Sequence, residues 1–114
     1  IRDVIDVDDF SQLIYLQIKK LNKIYNQTFC VGGGKKNSFN LKHLTKECSK
    51  ISGNKLEIKK IKNTSKYDIP YYISSNNKIY KYYKWKAKIN FGNILKKTYN
   101  WMSINQQTLK KYFK

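Results

Sequence analysis

Three consecutive glycines, Gly32 to Gly34, follow a short apolar run. Backbone amides bare of side chains can cradle phosphate oxygens, so this is the first place to look for chemistry. The spacing goes no further than that: there is no G-x-G-x-x-G and no Gly-Lys-Ser or Gly-Lys-Thr, and a tight turn is expected. His43 is the single histidine, and the only cysteines, Cys30 and Cys48, lack C-x-x-C spacing, so a zinc site fails for want of ligands. Both thiols are expected to be free and buried, and His43 to be solvated or half-buried. No Ser-His-Asp arrangement and no paired-carboxylate hydrolase site stands out. Read alone, the residues expose no catalytic machine.

Charge is the next feature that could carry function. Lys and Arg total 24 against 7 Asp and Glu, a net charge of +17, which raises nucleic acid or an anionic membrane as partner. Yet Arg2 is the single arginine, whereas phosphate and base recognition favours the bidentate guanidinium. Lys, Asn, Ile and Tyr are heavily used together, as an AT-rich genome produces, so the charge reads as compositional bias. The competing function is a small basic nucleic-acid-binding module, with lysine clusters on the backbone and Tyr80, Tyr82 and Tyr83 as stacking platforms. Asp3, Asp6, Asp8 and Asp9 crowd the first nine residues, making the acidic start a local feature. No apolar run approaches the ~20 residues of a membrane span and no secretory segment is present, so no membrane partner is expected and a cytoplasmic location is.

These residues need elements to position them. Residues 1–7 alternate as a short strand, and Asp8 or Asp9 can cap a helix running to about Tyr25. Phe10, Leu13, Ile14, Gln17, Ile18, Leu21, Ile24 and Tyr25 make its inner face. Thr28 to Val31 is read as a strand stopped by the glycines, followed by a polar loop. Asn40 caps a second helix with Leu41, Leu44, Cys48 and Ile51 on one face, ended by a left-handed Gly53. Leu56 to Ile61 and Tyr71 to Ile73 are read as strands, and a short helix runs from Ser75 through Trp85 with Ile79, Tyr82 and Tyr83 at helical spacing. An extended piece, Lys86 to Asn90, precedes a last helix from about Gly92, with Ile94, Leu95, Thr98, Trp101 and Met102 inward and a frayed lysine-rich end. Strands alternating with helices make the fold class α/β, and residues 1–114 one continuous lobe.

Three segments carry a resemblance. They are RDVIDVDDF at 2–10, FCVGGGKKNSFNL at 29–41, and DIPYYISSNNKI at 68–79 continued by KWKAKINFGNILKKTYNWM at 84–102. In order and spacing they resemble the final portion of extended short-chain dehydrogenase/reductases acting on sugar nucleotides, most of all the CDP-paratose 2-epimerase (CDP-tyvelose epimerase) branch. In that branch an RDVxHxxD segment, an FNxGG…NS segment and a W-x-P-K-x-S…G…Y-x-W tail recur. The resemblance implies the carboxy-terminal, substrate-binding lobe of an NAD-dependent nucleoside-diphosphate-sugar epimerase, with the NAD-binding Rossmann domain upstream of Ile1 and the parent enzyme a homo-oligomer. Catalysis in this family needs a Tyr-x-x-x-Lys pair. Tyr80 does stand four residues before Lys84, but that segment aligns with the tail, so no catalytic or cofactor-binding residue is assigned.

The resemblance also implies substrate-binding residues for a CDP- or UDP-linked sugar. Arg2 matches the arginine that contacts the diphosphate; its alternative is an ordinary surface arginine. Asp68 matches an aspartate that bonds ribose hydroxyls, with loop capping as alternative, and Tyr72 matches a position facing the sugar, with a core aromatic as alternative. Asn37 and Ser38 match a pair capping the helix after the glycine turn. There are departures. The family's second phosphate-contacting arginine falls on Ser65, leaving Lys66 as a poorer substitute, and the motif histidine is Asp6. The aspartate that caps the short helix is Ser75, and the tail proline is Ala87.

Overall fold

The computed structural model describes residues 1–55, 57–59 and 65–113. Along the chain run β1 (Arg2–Asp3), α1 (Val7–Lys19), a single 3-10 turn (Lys35–Asn37), β2 (Ser38–Phe39), α2 (Leu41–Ser52), α3 (Asn77–Tyr83), α4 (Phe91–Ile104) and α5 (Gln106–Tyr112). β1 and β2 pair antiparallel, Arg2 opposite Phe39 and Asp3 opposite Ser38. A third segment lies along the other side of Ile1. The Ile1 nitrogen donates to the Pro70 carbonyl at 2.6 Å and the Tyr72 amide to the Ile1 carbonyl at 3.0 Å, the pattern of a parallel bridge.

The expected strand at Tyr71 to Ile73 is therefore reduced to one bridge. Thr28 to Val31 makes no ladder, and of the strand read at Leu56 to Ile61 the described residues 57–59 form none, the other three lying outside the described residues. Residues 86–90 are held by side chains instead of a neighbouring strand. Asp9 Oδ2 accepts from the amides of Lys88 and Ile89, both at 2.9 Å, and the Asn37 side chain accepts from the Phe91 amide and donates to the Ile89 carbonyl. Backbone groups in the interior must find partners, and here Asp and Asn supply them in place of a sheet.

Local signals set the helix ends well. Asn40 accepts from the His43 amide to start α2, and Gly53 ends it at φ 73°, both as expected. α1 is capped by Asp6, not by Asp8 or Asp9; those two occupy its first turn, where a carboxylate is favoured by the helix dipole. α1 also stops at Lys19, and the following turns carry Ile24 back onto the core. The 106–112 stretch forms α5 where fraying was expected.

The core is small and centred on Leu13, Ile79, Tyr83 and Trp85, with Leu16, Phe29 and Val31 packed around it. Phe29 meets the edges of Tyr82 and Tyr83 at 5.5 and 5.6 Å. A second patch stacks Phe39 on Phe91 at 4.5 Å, joining β2 to α4, while α2 packs along α4.

The inner face of α1 is Asp9, Leu13 and Leu16, so the helix is turned about its axis from the expected phase and Phe10, Ile14 and Ile18 are exposed. Asp9 sets this phase: beyond its two amide bonds, its carbonyl accepts from the Trp85 indole at 3.2 Å. Cys30 and Cys48, expected buried, are exposed, as are Trp101 and Met102, expected inward on α4. No helix among the described residues is long and apolar enough to cross a membrane.

Candidate functional site

β1 and the turn after residue 65 bring two distant side chains together. The Asp68 amide donates to the Ser65 carbonyl at 3.1 Å, closing a four-residue turn that presents the Asp68 carboxylate. Arg2 Nη2 donates to Asp68 Oδ1 at 3.0 Å, and Nη1 donates to the Ile1 carbonyl at 2.9 Å. The pair borders a depression of about 270 Å³ whose other walls include Phe39, Asn40 and Pro70. An ion pair this exposed, 44% and 55% for the two side chains, is held weakly against water and can exchange one partner for a ligand anion at little cost. A guanidinium has five N–H donors, so a phosphate can be gripped while part of the Asp68 contact persists. Asp68 Oδ2 remains an acceptor for a diol.

The other two expected substrate contacts are placed differently. Tyr72 is half exposed, which removes the core-aromatic alternative. Its backbone braces Ile1 from the side, yet its ring lies outside the Arg2–Asp68 depression, with the hydroxyl 3.9 Å from Cys30 Sγ. Lys66 is exposed in the Ser65–Asp68 turn and makes no ion pair among the described residues.

The glycine turn is not a phosphate cradle. The Gly32 amide is taken by Asn76 Oδ1 at 3.1 Å and the Gly34 amide by Asp3 Oδ2 at 2.7 Å. A Cβ on Gly33 would sit 1.8 Å from the Val4 carbonyl oxygen, so this glycine is required by close backbone approach. With the Gly32 and Gly34 amides spent on Asn76 and Asp3, the turn does not fit a dinucleotide diphosphate.

Asn37 and Ser38 do not cap the helix that follows; Asn40 does, while Asn37 is buried and pins residues 89–91, and Ser38 Oγ donates to the Lys35 carbonyl. Ser75 likewise is not the cap of α3; the chain enters it at Asn76, whose side chain is committed to Gly32. Lys84 is the left-handed C-cap of α3, and its ammonium lies over the Tyr80 ring, 5.4 Å from the centroid, as a cation–π contact and not as an acid–base pair. His43 sits at the surface, tilted on Phe91 at 5.5 Å. No group of three or more His, Cys, Asp or Glu able to hold a metal occurs among the described residues.

The residues missed at the sequence level are the polar hubs. Asp3 takes the amides of Gly34 and Ser74, Asp9 those of Lys88 and Ile89, and Asn37 joins Val4, Ile89 and Phe91. The signal for two of them was present: four of seven acidic residues fall within nine positions of a lysine-rich chain. Asp6, a third member of that cluster, is buried and accepts from Lys97 Nζ at 2.9 Å; the same ammonium reaches Asp8 at 2.6 Å. Burial pushes the Asp6 carboxyl up, but the Lys97 ammonium and the Asp8 amide outweigh it and hold the group below its usual range. The two carboxylates raise Lys97 in turn.

Of the three tyrosines a nucleic-acid surface would use for stacking, Tyr83 is buried, while Tyr80 and Tyr82 are exposed, Tyr82 packing edge-on against Phe29. No family model, curated protein or solved structure matches the chain.

Proposed function

We propose that the chain is the substrate-side lobe of an NAD-dependent nucleotide-sugar epimerase of the extended short-chain dehydrogenase/reductase kind, clamping the nucleoside diphosphate of a CDP- or UDP-linked sugar. The observation that carries this is the Arg2–Asp68 contact: two side chains singled out for the two halves of one ligand meet at 3.0 Å across 66 residues of sequence. Arg2 would turn two donors to diphosphate oxygens while part of its Asp68 contact persists, and Asp68 would accept from the ribose hydroxyls. The mutual wiring of the three motif segments adds support, since Asp3, Asp9, Asn37 and Asn76 each bind one segment to another.

The hydride chemistry belongs to NAD, and nothing in this chain's glycine turn fits that cofactor, so no step through it is assigned to these residues. Their part is to hold the nucleotide handle. Calorimetric titration with CDP-glucose and UDP-glucose tests this: saturable binding is expected, weakened about tenfold by Arg2→Lys through the loss of one charge-assisted hydrogen bond. Equal affinity in wild type and Arg2→Lys contradicts the assignment.

A further inference from the structure

We propose a second anion site, apart from the Arg2–Asp68 pair: a lysine-walled cleft that takes a small polyphosphate. A cleft of about 600 Å³ opens beside the 3-10 turn and the 86–90 segment, and it shares no lining residue with the Arg2–Asp68 depression. That volume lies within the range of small-molecule sites. Lys35 and Lys36 come from the turn, Lys86 and Lys88 from the extended segment, and no carboxylate is among the lining residues. None of the four lysines pairs with an acid among the described residues. Four lysines in one lining that holds no carboxylate make the local potential positive, and an anion carrying several charges fills such a hollow most favourably.

The frame beneath these charges is built without a ligand. Asn37, 5% exposed, ties the turn to Ile89 and Phe91, and Asp9 takes the amides of Lys88 and Ile89, so both lysine-bearing segments are fixed to one another. Asn76 and Asn77 also line the wall, the Asn76 side chain being held by the Gly32 backbone. Tyr80, also in the wall, carries the ammonium of Lys86 at 4.5 Å and that of Lys84 at 5.4 Å from its ring centre. Its face is thus engaged by cations, which favours a phosphate chain over a strand whose bases must stack.

The test is calorimetric titration of the intact chain with sodium tripolyphosphate at low and physiological salt, repeated with an oligothymidylate. Tripolyphosphate is expected to bind saturably, and the quadruple variant Lys35→Gln, Lys36→Gln, Lys86→Gln, Lys88→Gln to bind about tenfold or more weakly, the loss of at least one charge-assisted hydrogen bond. A control with Lys23, Lys46, Lys96 and Lys110 changed to Gln keeps its affinity, as does Arg2→Lys. The double variant Lys35→Gln, Lys36→Gln, confined to an exposed turn, gives the same reading should the quadruple fail to fold. Three results overturn the proposal: no saturable binding by wild type, equal loss in the control quadruple, or an oligothymidylate that binds tighter than tripolyphosphate and displaces it.

Discussion

Asp3 Oδ2 accepts the Gly34 amide at 2.7 Å, turning the three-glycine loop inward on its own chain. The loop is a joint between β1, the Lys35–Asn37 turn and Ser74, and its Gly33 answers to a different constraint from Gly53, the C-cap of α2. At Gly33 a Cβ meets the Val4 carbonyl at 1.8 Å, whereas at Gly53 nothing lies within 4 Å and only the φ of +73° resists a side chain. Gly33→Ala is therefore expected to cost more than about 2 kcal/mol and Gly53→Ala about 1 kcal/mol, compared by urea unfolding. Equal costs contradict the close-approach explanation.

Asp9 holds two amides and orients α1, so Asp9→Ala leaves two part-buried donors without their acceptor. A loss of about 2–3 kcal/mol is expected. Because the Asp9 carbonyl also receives the Trp85 indole, loosening this corner wets Trp85, 3% exposed in the folded chain. A red shift in tryptophan emission before global unfolding checks it; an unchanged spectrum with unchanged stability contradicts it.

The Asp6–Lys97–Asp8 cluster gives stability a defined pH dependence. The folded Asp6 carboxyl sits below its unfolded value of 3.8, so its contribution is present above that pH and is lost as pH falls through the depressed folded value. Lys97 is raised above 10.5, so its contribution is present below that pH and lost as pH rises through the higher folded value. Lys97→Met should therefore lower the urea midpoint at neutral pH and converge on wild type in acid, where Asp6 is protonated in both. A constant offset across that range contradicts the linkage.

Much of the local structure could be read from the residues that make it. The Asn40 cap and the left-handed Gly53 depend on neighbours within a few positions. The phase of α1 could not be read, because Phe10, Ile14 and Ile18 satisfy helical periodicity as well as Leu13 and Leu16 do. The choice is made by Asp9 reaching residues 85–89. Strands were over-read for a related reason: Thr28–Val31 has strand-forming side chains, but the Thr28 carbonyl accepts from the Lys78 ammonium and Phe29 packs on Tyr82 and Tyr83, with no backbone ladder. The Arg2–Asp68 contact lies between the two cases, since each residue was marked by resemblance while their pairing depends on a turn closed by Ser65.

The exposed Arg2–Asp68 pair should matter little for folding, with Arg2→Lys and Asp68→Asn each changing stability by no more than about 1 kcal/mol. Its worth should appear with ligand. The most direct measurement follows CDP-glucose by NMR in the presence of the chain, reading phosphorus shifts for the diphosphate and saturation transfer for the ribose protons. Arg2→Lys should reduce the phosphorus response, in line with about tenfold weaker binding, and Asp68→Asn should weaken the ribose transfer. If wild type perturbs neither signal, or both variants perturb them as wild type does, the pair is not a nucleotide-sugar clamp.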